Sequence, residues 1–178
     1  MSGQQQRMPV QIDPFRFAVK REHLLGKIPL KQLKRLTAEL ESSEGDVDVD
    51  VNFTIDDDGT TLLQGTINTE VQLICQRCLE TMPHQLDIEF QLALVKTEAE
   101  MERLGDQYES CLIEDTPIMF SDLIEDELLL ALPVIPKHLD DSCTQKVWSH
   151  QQTGDKHSKS VNPFNELADL KTDKQDEA

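Results

Sequence analysis

The chain reads as an α+β domain: an antiparallel β meander or partly closed barrel with two packed helices and a disordered C-terminal tail. Three observations predict it. Segments between residues 46 and 94 alternate apolar and polar side chains, the period of a strand with one wet face. Short turn signals separate them, which favours antiparallel neighbours. Leucines at helical spacing stand on both sides, and beyond Cys143 the chain turns polar. The 178 residues are therefore divided into a flexible N-terminus (1–9), a single α+β domain (10–143) and a largely disordered acidic tail (144–178). A short docking helix is expected near 162–171.

Residues 10–25 mix apolar and basic side chains around Asp13-Pro14 and form an ordered lead-in. Pro29 opens a helix, since proline is tolerated in a first turn, and Leu30, Leu33, Leu36 and Leu40 give it an apolar face. Val47, Val49, Val51, Phe53 and Ile55 alternate through a first strand. Asp56-Asp57-Asp58-Gly59 ends that strand with a hairpin signal. A second strand runs from about Leu62 through Leu73, and a third carries Leu86, Ile88, Phe90, Leu92 and Leu94. Residues 96–106 read as a linker or short helix, and 108–113 as a short strand. Ser121 is a plausible N-cap for a helix reaching Leu132, with Asp122 and Glu125 near its positive end, and Pro133 and Pro136 stop it. In the tail, Asn162-Pro163-Phe164 leads into Leu167 and Leu170, a short amphipathic helix at best.

Net charge is -17, unevenly placed: residues 1–40 hold eight Lys/Arg against three Asp/Glu, and the remainder holds nine against thirty-one. So anionic a body repels phosphate, which confines RNA contact to the basic N-terminal part and favours a basic protein partner. The N-terminus lacks an apolar core of signal type, and the longest apolar run, 128–132, is too short to span a bilayer. The expected location is the cytoplasm, where thiols stay reduced.

Cys75-Gln76-Arg77-Cys78 lies in the turn between the second and third strands. Two thiolates on one tight turn supply half a tetrahedral zinc site, and His138 and Cys143 are the best candidates for the rest, with His84 and Cys111 as alternatives. Two reduced structural thiols are the bland reading. A redox pair would sit at a helix N-terminus, whereas a strand pattern with Pro83 follows here. Arg77 could meet a phosphate or carboxylate, or merely be solvated. Lys31, Lys34 and Arg35 form a small candidate phosphate patch, against the bland reading of a solvated face in contact with the acidic body. Lys31 stands at the positive end of the expected helix, and Glu39 and Glu41 at its negative end, which opposes the macrodipole. The acidic runs at 46–50 and 56–58 lack calcium-loop spacing. No phosphate-cradling glycine loop, HExxH or nucleophile elbow occurs, and an enzyme is not expected.

Asp13-Pro14-Phe15-Arg16, Cys75-Gln76-Arg77-Cys78-Leu79, the run from Glu125-Asp126-Glu127 through Leu132-Pro133 to Pro136-Lys137-His138, and Asn162-Pro163-Phe164 with Leu167, Leu170 and Lys171 together resemble the bacterial YceD family. The resemblance spans nearly the whole chain in order. It implies a ribosome-biogenesis factor linked to accumulation of 23S rRNA, without an enzymatic activity. Together with the charge pattern, the expected partner is an assembly intermediate or a basic ribosomal protein with limited rRNA contact, and no membrane or small-molecule substrate is expected. Phe164, Leu167 and Leu170 are the expected partner contacts in the tail. Many relatives carry a cysteine-rich segment after the Leu-Pro helix end, and this chain offers only His138 and Cys143 there, so Zn2+ is the one cofactor expected, if any. The alternative is a small zinc- or thiol-dependent enzyme using the CxxC pair.

Overall fold

The computed structural model describes residues 8–139 and Cys143. Residues 1–140 form one compact unit and 141–178 a second. Elements run β1 (Gln11–Ile12), α1 (Pro14–Lys20), β2 (His23–Pro29), a 3-10 turn (Leu30–Gln32) and α2 (Lys34–Thr37). They continue through β3 (Asp46–Ile55), β4 (Thr61–Ile74), β5 (Thr81–Val95), α3 (Glu98–Leu104), a second 3-10 turn (Gly105–Gln107), β6 (Glu109–Leu112), β7 (Ile118–Met119) and α4 (Phe120–Ala131).

The three alternating segments are β3, β4 and β5, antiparallel neighbours in a five-stranded sheet of order β2-β3-β4-β5-β6. Alternation sets the register: Asp50 faces Thr66 and Thr66 faces Glu89 on the wet side, while Val49, Ile67 and Ile88 align on the other. Val47, Val49, Val51 and Phe53 are buried with Leu63, Ile67, Val71, Leu86 and Leu92. Phe120, Ile124 and Leu128 of α4 join the same core, and Phe53 meets Phe17 edge-on at 5.4 Å. Asp13 caps α1 by accepting from the Arg16 N–H at 3.1 Å, and Pro14 fills its first turn. The fold class is thus α+β, as read.

Several details differ from the reading. Pro29 ends a strand opposite Asp46 instead of opening a helix, and the leucine face is split between a 3-10 turn and the single-turn α2. The sheet is open, with β2 and β6 at its two edges and no barrel closure. Four α-helices are present among the described residues, not two. The short strand after residue 108 exists but runs parallel to β5, because α3 carries the chain back across. Helix α4 starts at Phe120, so Met119 takes the N-cap position expected of Ser121. Residues 144–178, with the expected docking helix, lie outside the described residues.

Candidate metal centre

Strands β4 and β5 are joined by a tight knuckle. Cys75 donates its N–H to the Glu80 carbonyl at 2.9 Å, and Leu79 donates back to the Cys75 carbonyl at 2.9 Å. Leu79 sits at φ 61, the left-handed conformation the reversal needs. Both thiols therefore project from one turn, and the Arg77 N–H donates to the Cys75 sulfur at 3.5 Å. No helix follows the pair, which removes the dipole a redox CxxC uses.

The prolines that stop α4 bring the chain back to this knuckle. Gln76 donates its N–H to the Pro136 carbonyl at 2.8 Å. Two residues later, His138 Nδ1 lies 3.6 Å from Cys78 Sγ. Cys75, Cys78, His138 and Cys143 each offer one ligand atom, and these atoms all lie within 4.8 Å of one another. Zinc bonds of about 2.0–2.3 Å give a tetrahedron with edges of roughly 3.5–3.8 Å, so closure on an ion needs only about an ångström of contraction. Cys75 and Cys143 are buried; Cys78 and His138 are half-buried. Burial pushes the Cys75 thiol up, but N–H donation from Cys78, Arg77 and His138 outweighs it and lowers its pKa to about 6. A three-sulfur, one-nitrogen set with N–H groups aimed at a thiolate fits a structural metal ion. His84 and Cys111, the alternatives, stand outside the group.

A family described as "Large ribosomal RNA subunit accumulation protein YceD" matches residues 63–171. The large ribosomal RNA subunit accumulation protein YceD of Haemophilus influenzae is 30% identical over 180 residues, covering 94% of this chain and 98% of that protein. The chain belongs to the YceD family. The YceD match takes in the knuckle and the returning segment together, so all four ligand atoms fall inside it. No solved structure matches significantly.

The other expected contacts fare differently on the YceD fold. Arg77 is half-buried in the knuckle rather than exposed. Arg35 is engaged within the unit: its Nε reaches Glu125 at 2.9 Å and its Nη1 reaches Asp126 at 2.6 Å. Its pKa is raised, first by the hydrogen bond to Glu125 and then by that to Asp126. Lys31 and Lys34 are exposed, on the 3-10 turn and at the start of α2, so no single helix face unites the three. Phe164, Leu167 and Leu170 lie outside the described residues. Burial, then the charges of Asp126 and Glu127, push the Cys111 thiol up, which makes it a poor nucleophile. An apolar surface beside the knuckle, where Leu79 (75% exposed), Val134 and Ile135 face solvent, leaves no signal in the sequence. Exposed Leu and Val within a turn and a proline segment carry no periodicity, so no pattern could reveal it.

No helix among the described residues is long and apolar enough to cross a membrane.

Proposed function

We propose that this protein supports accumulation of 23S rRNA in the cytoplasm by binding an assembly intermediate, without chemistry of its own. Membership of the YceD family carries the reading, because that family is described by large-subunit rRNA accumulation. The charge pattern says what kind of contact to expect. Asp46, Asp48 and Asp50 of β3, Glu70 of β4, and Asp87 and Glu89 of β5 lie on the sheet positions that alternate with the core. Among the described residues, Lys27 and His23 answer two of them, at Asp48 and Asp50. An uncovered acidic sheet suits a basic ribosomal protein better than a polyanion.

Zn2+ held by Cys75, Cys78, His138 and Cys143 is the structural part of the proposal. When bound, the ion fastens the segment after α4 to the β4–β5 knuckle and sets the exposed Leu79, Val134 and Ile135 side by side as a contact surface. The enzyme alternative draws on the low pKa of Cys75, yet that residue is 0% exposed, which suits a ligand and not a nucleophile.

Depletion in the native host, followed by quantitation of both rRNAs, tests the reading. The ratio of 23S to small-subunit rRNA is expected to fall at least about twofold and to recover with the wild-type chain. An unchanged ratio would remove the proposal.

A further inference from the structure

Two neighbouring depressions, about 340 and 270 Å³, share Phe15, Val19 and Lys96 and form one groove between α1 and the β5–α3 corner. Its floor is apolar: Val19 is 73% exposed, and Ile55 and Leu104 continue the surface. Arg16, Lys20, Lys96 and Arg103 line it, and none makes an ion pair among the described residues. This is unlike Lys27 and Arg35, whose charges are answered within the fold. The two lining carboxylates are already engaged by backbone: Asp13 accepts from the Arg16 N–H and Glu100 from the Lys96 N–H at 2.8 Å. Lys96 Nζ stands 4.4 Å from the centre of the Phe15 ring, so the aromatic face already receives a cation.

We infer that this groove binds a short stretch of single-stranded RNA, a base taking the place of Lys96 over the Phe15 ring and phosphates meeting Arg16, Lys20, Arg103 and the displaced Lys96. The inference deepens the rRNA reading above and rests on it. Arg16 and Lys20 are one helical turn apart, about 5–6 Å between Cβ atoms, and so can address neighbouring phosphates. A poly-acidic peptide would satisfy the cations but has no flat π surface for the Phe15 ring, whereas a base stacks on an aromatic side chain regardless of sequence. Asp57 and Asp58 stand in the turn at the far end, next to Gly59, which keeps the favourable stretch short. Elsewhere the anionic body repels the polymer, so the groove holds a segment and not a duplex.

Fluorescence anisotropy of the full chain with a labelled single-stranded RNA of about 12 nucleotides, at about 50 mM salt, tests this directly. A poly-glutamate peptide of equal length is the comparison probe. Arg16→Glu with Lys96→Glu is expected to weaken RNA binding at least about tenfold. It should also reduce the log–log salt slope by roughly 1.4, at about 0.7 for each phosphate that is no longer neutralised. Both side chains are exposed, and unchanged circular dichroism checks the fold. Lys31→Glu with Lys34→Glu alters charge equally elsewhere and is expected to leave binding within about twofold. Undetectable RNA binding by the wild type, tighter binding of poly-glutamate, or equal weakening by the two double variants would each overturn the inference. Rescue of 23S rRNA by the wild-type chain tests the broader reading alone, so the two can fail separately.

Discussion

Gly65, in the first half of β4, faces Val51 on one side and Phe90 on the other. A Cβ there would stand 2.7 Å from Val51 Cα and closer still to the Asp50 carbonyl. Both obstacles are backbone, so a methyl cannot be absorbed by rotating a side chain; β3 itself would have to move. Gly65→Ala is expected to cost about 3 kcal/mol or more, read as a lower urea midpoint at unchanged slope. A loss under about 0.5 kcal/mol would show that the two strands have room to part. Glu127 is another single-residue case: it is 8% exposed, and burial, then Glu109 and Asp126, raise its pKa. Ionised Glu127 therefore costs stability at neutral pH. The penalty grows as pH rises from the ordinary glutamate value near ~4.3 to the elevated folded value, and is absent below, where both states are protonated. Glu127→Gln should melt higher than wild type at pH 7, with the difference vanishing by about pH 4; an equal difference at both values would point to altered packing instead.

Among elements, the meander was legible because its buried and exposed positions alternate along most of β3, β4 and β5. Strand β2 was not. Its buried positions are Gly26 and Ile28, and glycine carries no apolar signal, while Leu25 points to the wet face. Leu30, Leu33 and Leu36 are all buried, as a helix face requires, but a 3-10 turn followed by a single α turn buries the same three. The Cys75/Cys78 half of the cluster follows from spacing, since a turn places its own neighbours, whereas His138 and Cys143 stand some 60 residues further along and spacing offered them only beside His84 and Cys111. What spacing could not show was the clasp between α2 and α4, far apart in the chain. Glu125, 4% exposed, accepts from the Arg35 N–H at 2.7 Å and the Leu36 N–H at 3.0 Å, capping α2 from another helix. Glu125→Ala leaves both amides and Arg35 without that acceptor and should cost roughly 3–5 kcal/mol by chemical denaturation. Glu125→Gln keeps one acceptor oxygen and should cost less than half of that. Equal losses would mean that charge, not capping, sets the clasp. At the knuckle, the purified chain is expected to carry about one zinc ion by elemental analysis, and Cys75→Ser to carry under about a tenth of that, with a melting midpoint roughly 5–10 °C lower. Retention of zinc by that variant would exclude Cys75 as a ligand.

On the scale of the whole molecule, charge decides which partner can approach which side. The β3–β5 face is acidic and open, whereas Arg16, Lys20, Lys96 and Arg103, which make no ion pair among the described residues, line the groove between α1 and the β5–α3 corner. A basic protein and a short RNA segment would then meet different surfaces of the same molecule. The acidic face acts through screened Coulomb attraction, with a Debye length of about 10 Å at 0.1 M salt and near 3 Å at 1 M. Basic ribosomal proteins co-purifying with the tagged chain should therefore survive RNase treatment at about 0.1 M salt and be released by about 0.5 M. Replacing Asp48, Asp50, Asp87 and Glu89 by their amides should release them at about 0.1 M, because these side chains lie at the surface and contribute little to fold stability. Loss of the same proteins on RNase treatment alone would place RNA, not the acidic sheet, between this chain and them.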